Sequence, residues 1–232
     1  MGYSFYEVYI TAQRAFSAMG FPYGSDEDAA FIIAWLELNK FKGISLLASL
    51  INELDKKYEG RIKLDNLCEN INFKNKSILM KGEGLIDFMC SELENNKKIS
   101  VKITNCKDGV LFLPILYKKS EFINLSLLTF HNNKTINTYK INNNQIIFNQ
   151  KKNNNLFDEN IVLIEMHNNN ENLNNLTSSK IISKKEIQQN LAQSLKPEAI
   201  SWDKVSKIAN KTYVPESDES RSKGAGGGDD ND

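Results

Sequence analysis

Apolar residues at Phe5, Val8, Tyr9, Ala12, Phe16 and Met19 recur every three or four positions, a period that places them on one face of an α-helix. Ser4 and Glu7 stand ahead of that face at the S-x-x-E spacing of a capping box, in which each side chain satisfies a backbone N–H of the other residue. Gly20 supplies a left-handed stop, and Phe21-Pro22-Tyr23-Gly24 a turn. Ser25 and Asp28, with Asp26 and Glu27 between them, predict a second helix start whose carboxylates complement the positive helix end. Its apolar set Ala30, Ile33, Ala34, Leu36 and Leu38, with Trp35 beside them, runs to about Phe41. After Gly43 a third helix is expected from residue 44 to about 58, apolar at Leu46, Leu47, Leu50, Ile51 and Leu54.

The period then changes. Residues 110–117 form a short apolar run holding Pro114, which predicts an edge or bulged strand. Segments 122–130, 136–141, 145–148 and 161–166 are short, enriched in β-branched and aromatic residues, and separated by Asn-rich turns. Such spacing favours an antiparallel meander over alternating βαβ units. Between residues 60 and 108, a helix over 85–93 and short strands at 71–73 and 78–80 are expected. Helix returns late: Ser183 and Glu186 form another capping box before Ile187, Leu191 and Leu195, Pro197 stops that helix, and Ser201 opens one more through Val205, Ile208 and Ala209. The pattern predicts an α+β protein: an amino-terminal three-helix unit (1–59), a mainly β region (60–182) with a central antiparallel β meander, carboxy-terminal helices (183–211) and a Gly-rich tail motif (212–232), together one compact domain.

Composition narrows the function. The 232 residues carry 29 basic and 29 acidic side chains, a balance unsuited to a nucleic-acid binder, which needs excess cations to displace phosphate counterions. No apolar run approaches the roughly 18–20 residues that cross a bilayer, and no basic segment precedes an apolar one at the start, so a soluble, cytoplasmic protein without membrane contact is expected. Cys68, Cys90 and Cys106 are far apart and odd in number, as expected of reduced, buried thiols. The 30 asparagines cluster in runs such as 142–144, 153–155 and 168–170, as an AT-rich codon bias produces, and such runs suit solvated turns. His131 and His167 fall at expected strand ends, and G-x-S-x-G, G-x-G-x-x-G, H-E-x-x-H and EF-hand patterns are absent, which leaves the cofactor unknown.

The tail concentrates the candidate chemistry. A disordered terminus would share its Gly, Ser and Asp content. Its order is uneven, however: Tyr213-Val214-Pro215 is an apolar anchor, Glu216, Glu219, Ser220 and Arg221 bring carboxylates, a hydroxyl and a guanidinium together, and a Gly run follows at Gly224, Gly226, Gly227 and Gly228. Glycine amides turn inward cheaply toward an anion, and a guanidinium clamps a carboxylate or phosphate in two places. Asp230 and Asp232, with Asp229 beside them, are candidate oxygen ligands for Mg²⁺ or Ca²⁺.

The residues at both ends resemble an uncharacterised bacterial family, domain of unknown function 3726. The tail matches its closing motif at Thr212, Tyr213, Val214, Pro215, Ser217, Ser220, Arg221, Gly224, Ala225, Gly226, Gly228 and Asp230-Asn231-Asp232. The start matches at Glu7, Val8, Ala12, Ala15, Gly20, Pro22, Gly24, Glu27 and Ala29, whereas the Asn-rich middle matches poorly. The resemblance implies a shared site or contact and brings no activity with it. The first helices are also similar to those of the type-2 malate/lactate dehydrogenases, except that Lys42-Gly43-Ile44-Ser45 lacks the expected His.

Two functions compete. In the first, the chain is an enzyme, or a subunit of one, acting on a small anionic, carboxylate-type metabolite: the tail folds over the acidic turn near Tyr23 and Asp26. Arg221, with Tyr23, Ser220, Gly224 and Gly226, binds the substrate, and Tyr213 or Glu219 moves a proton. In the second, the tail docks into a partner protein or a second copy through Tyr213-Val214-Pro215 and Arg221. A tail that merely seals the helical core is a third possibility.

Overall fold

The computed structural model describes residues 2–60, 70–121, 123–131, 134–150, 161–168 and 180–213. Helices α1 (Phe5–Ala18), α2 (Ser25–Leu38) and α3 (Gly43–Leu54) open the chain. The Ser4/Glu7 box forms reciprocally, the Glu7 amide donating to Ser4 Oγ at 3.1 Å and the Ser4 amide to Glu7 Oε2 at 2.7 Å. Those bonds to Ser4 hold the Glu7 carboxyl below its usual range. Helix α2 starts at its apparent cap, Ser25: Gly24 (φ 83°) is the N-cap and no side chain caps the helix there, while the Ser25 hydroxyl pairs with that of Tyr58 at 2.8 Å. Most of α2 is buried, Asp26, Ala29, Ala30 and Ile32 through Leu36 included, because it packs on α1, α3 and the two helices below it.

Those two are α4 (Ile78–Leu93) and α5 (Phe112–Lys119), the latter continuing a 3₁₀ turn at Gly109–Leu111. They correct two expectations. Residues 110–117 are helical rather than a strand, because Pro114 occupies the third position of the helix, inside the first turn, where its missing N–H has no intrahelical partner to lose. Residues 78–80 are the first turn of α4, capped by Ser77 Oγ accepting the Leu79 amide at 3.2 Å.

Strands β1 (Asn70–Asn72), β2 (Lys98–Thr104), β3 (Asn124–His131), β4 (Lys134–Asn142), β5 (Gln145–Gln150), β6 (Ile161–His167) and β7 (Lys180–Ile182) form one sheet in the order β1-β2-β6-β3-β4-β5-β7. The expected meander is β3-β4-β5. Strand β6 leaves it to sit between β2 and β3, and β1 pairs parallel to β2 across α4, so one βαβ unit is present after all. Val101, Ile164, Leu127, Tyr139 and Phe148 pair in succession across the sheet and are all buried on one face. Asn143 and Asn144, at φ 47° and 56°, make the β4–β5 turn, where asparagine tolerates left-handed backbone. Cys106 is buried and Cys90 partly so, burial lifting its thiol above the ordinary range, while Cys68 lies outside the described residues. His131 and His167 close β3 and β6 as expected.

Helices α6 (Lys184–Leu191) and α7 (Ala199–Ala209) bring the chain back to its start. Tyr3 and Leu195 exchange backbone hydrogen bonds of 2.9 and 2.7 Å, and the Tyr3 ring stacks on Trp202 at 4.0 Å. Ser201 does not open α7. Glu198 is its N-cap, and Ser201 Oγ donates to Glu198 Oε2 at 2.7 Å. Helix α7 packs against α1 and α3, and a 3₁₀ turn at Asn210–Thr212 delivers Tyr213 to the side of α1. Among the described residues no helix is long and apolar enough to cross a membrane.

Candidate functional site

Two faces of α1 have different roles. Val8, Ala12, Ala15 and Phe16 enter the core, whereas Tyr6, Ile10, Gln13, Arg14 and Ser17 recur at helical spacing along a second stripe. That stripe forms one wall of a groove of about 550 Å³, and Phe21, Tyr23 and Asp26 from the α1–α2 turn form the other. Phe21 is the floor, buried against the rings of Phe16 and Tyr58, each at 4.8 Å. Gly20 and Gly24, both at positive φ, let the turn reverse around it.

Asp26 is the buried acid of the groove, 3% exposed. Ser17 Oγ donates to its Oδ2 at 2.7 Å and the Glu27 amide to its Oδ1 at 2.9 Å, so both oxygens are occupied at the positive end of α2. The Tyr9 phenol is held above the ordinary tyrosine range, first by burial and then by the carboxylates of Glu27, Asp26 and Asp28.

Arg14 is the exposed cation on the facing wall. It donates to the Tyr213 hydroxyl and lies over the Tyr213 ring, 4.7 Å from its centre. No carboxylate pairs with Arg14 among the described residues. Tyr23 stands at the rim, 96% exposed, and Tyr6 and Tyr213 are also exposed.

Of the residues singled out in the sequence, Tyr23 and Asp26 line the groove, and Tyr213 meets Arg14 on its wall. Glu219, Ser220, Arg221, Gly224, Gly226, Asp230 and Asp232 lie outside the described residues. Among the described residues no group of three His, Cys, Asp or Glu is arranged to hold a metal. Arg14, Gln13 and Ser17 are among the groove residues that sequence reasoning missed, with Tyr6 and Ile10. Their signal was present: they share the stripe with Tyr6, and Arg14 is one of only three arginines among 29 basic residues.

A second cleft, of about 450 Å³, lies at the opposite end of α2. Glu37 is at its base, its Oε2 accepting the Ile44 amide at 2.9 Å and so capping α3. Burial raises the Glu37 carboxyl above its usual range, opposed by that hydrogen bond and by Lys42.

The fold is similar to that of malate dehydrogenase from Entamoeba histolytica, with a TM-score of 0.59 and 8% identity over 93% of this chain and 99% of that one. It is likewise similar to sulfolactate dehydrogenase from Methanocaldococcus jannaschii, with a TM-score of 0.56 and 10% identity over 91% of this chain and 97% of that one. At such identities the likeness is one of fold. No curated protein matches the sequence. Residues 3–109, from the capped start of α1 to the turn ahead of α5, match the family described as protein of unknown function (DUF3726).

Proposed function

We propose that the chain is an enzyme, or a subunit of one, that binds a small carboxylate-type anion in the α1–α2 groove. The observation that carries the proposal is the position of Arg14: an exposed guanidinium, satisfied by a tyrosine and by no described carboxylate, on the wall of a groove that Tyr213 borders. A guanidinium in that state accepts a carboxylate in two places at little rearrangement. Tyr213 is also where the tail begins. The eight residues to Arg221 span at most roughly 26–29 Å, enough to return over the groove. Arg221 is then a second clamp, Ser220 and the amides of Gly224 and Gly226 donate to the anion, Tyr23 covers it, and Tyr213 or Glu219 moves a proton. Asp230 and Asp232 remain the candidate metal ligands. The similar solved structures are named for malate and sulfolactate, both carboxylates, which supports the ligand class. Hydride transfer is not part of the proposal, since Lys42 and Gly43 stand where a dehydrogenase-type His is expected.

A thermal-shift and calorimetric series with small dicarboxylates, malonate first, tests it. Arg14→Gln and Arg221→Ala each abolish the response while leaving the unliganded Tm within a few degrees. No ligand response, or one indifferent to Arg14→Gln, removes the proposal. The exposed Tyr6 and Tyr23 of the groove, with Tyr213 exposed against Arg14, favour the alternative, a tail that docks into a partner or second copy. That alternative predicts concentration-dependent mass in sedimentation and no malonate response.

A further inference from the structure

The cleft at the carboxy-terminal end of α2 has a different chemistry. Lys40 and Lys42 come from the α2–α3 turn and Lys196 from the segment after α6, and Asn190 and Ser194 add an amide and a hydroxyl around Glu37. The three ammonium groups and one carboxylate leave a net charge of about +2 at neutral pH, before any protonation of Glu37. Among the described residues, none of the three lysines has an ion-pair partner within bonding distance.

The turn that carries two of them is strained at both. Lys40 follows the α2 C-cap at φ 67°, where glycine is preferred, and Lys42 precedes α3 at φ 54°. The intervening Phe41 is buried, its ring 5.8 Å from that of Phe148 and 6.5 Å from that of Trp35, and its amide donates to the Leu36 carbonyl at 2.8 Å. Left-handed backbone costs a β-carbon-bearing residue about 1–2 kcal/mol. Both strained positions thus carry long cationic side chains toward one concavity.

We infer that this cleft is a second anion site, selective for a phosphate group, inorganic or carried by a small ester. Ammonium groups act as mobile point charges and suit a compact tetrahedral dianion, whereas the planar guanidinium of the α1–α2 groove suits a carboxylate. The site is independent of the α1–α2 groove.

Lys40→Gly and Lys42→Gly isolate the charge, since glycine relieves the backbone while deleting the ammonium. Titration calorimetry of the full chain with inorganic phosphate and with glycerol 3-phosphate, at constant ionic strength against chloride, gives saturable binding. Each substitution weakens it about fivefold, and the pair about 25-fold, as expected for loss of one charge contact at a time near water. The unliganded Tm stays level or rises, and Arg14→Gln leaves phosphate binding intact. Tighter binding of the ester assigns the site to a phosphorylated small molecule, and binding of inorganic phosphate alone assigns it to the free ion. The inference is overturned by absence of saturable heat, by an unchanged Kd in the double variant, or by loss on Arg14→Gln in place of the lysine changes.

Discussion

Helix α2 spans 14 residues, about 21 Å, and its two ends have opposite chemistry. At its amino-terminal end Asp26, Glu27 and Asp28 follow a turn that faces Arg14 and Tyr213. At its carboxy-terminal end Glu37 lines a cleft with Lys40 and Lys42. Both patterns follow the helix dipole, which favours carboxylates at the start and ammonium groups at the finish. The dipole does not explain the rest: a buried Asp26 with both oxygens hydrogen-bonded at one end, and two lysines in left-handed backbone at the other. A charge that only complements a dipole needs neither burial nor strain. The difference teaches that the acid of one end is structural, tied to Ser17 and to the Glu27 amide, while the cations of the other end have no ion-pair partner among the described residues.

Three changes break or sharpen that contrast. The largest effect is expected at Gly43, where an added β-carbon would lie 2.1 Å from the Ile33 carbonyl oxygen and 2.9 Å from the Glu37 amide nitrogen. Both neighbours are backbone, so Gly43→Ala has to part α2 from α3. It should cost about 3 kcal/mol in urea unfolding and disturb the lysine cleft before the groove. A loss under about 0.5 kcal/mol would show that the two helices separate freely there.

Next comes Asp26→Ala, which strips the Glu27 amide of its side-chain acceptor and leaves the Ser17 hydroxyl only the Gln13 carbonyl. About 1–3 kcal/mol of stability should go, read in the same urea series. An unchanged midpoint would mean that Asp26 is held for ligand rather than for fold.

The smallest effect is the pH dependence at Glu37. Burial raises its folded carboxyl above the ordinary value, so its contribution to stability is present below that ordinary value and lost as pH rises through the folded one. Glu37→Gln keeps an acceptor for Ile44 and removes the charge. Its stability relative to the parent chain should therefore improve from pH 4 to pH 7, and phosphate affinity should rise with the lost repulsion. Parallel stability curves for the two proteins would refute the account of burial at this position.

Much of the scaffold was legible because its signals are local. A capping box needs only Ser4 and Glu7, and the core face of α1 needs only the three-and-four spacing of Val8, Ala12, Phe16 and Met19. The β4–β5 turn needs only paired asparagines. Residues 110–117 misled because a short apolar run has no period of its own: the same side chains serve a buried helix or a strand, and packing against α2 and α4 chose the helix. Strand order escaped likewise, since nothing within residues 161–167 indicates that they pair with β2 as well as β3.

The groove divides in the same way. Amino-acid order alone determined that Tyr23 and Asp26 share a turn, that Tyr213 opens a glycine-rich, arginine-bearing tail, and that Ser4 starts a helix, because each depends on neighbours a few bonds apart. Tertiary structure alone decided that Tyr213 meets Arg14, 199 positions away, and that Lys196 joins Lys40 and Lys42. Those meetings require α7 to pack on α1 and the Tyr3–Leu195 bridge to close the ring of helices. Burial of apolar faces drives that packing, and the charged side chains are carried to their partners by a force that does not act on them.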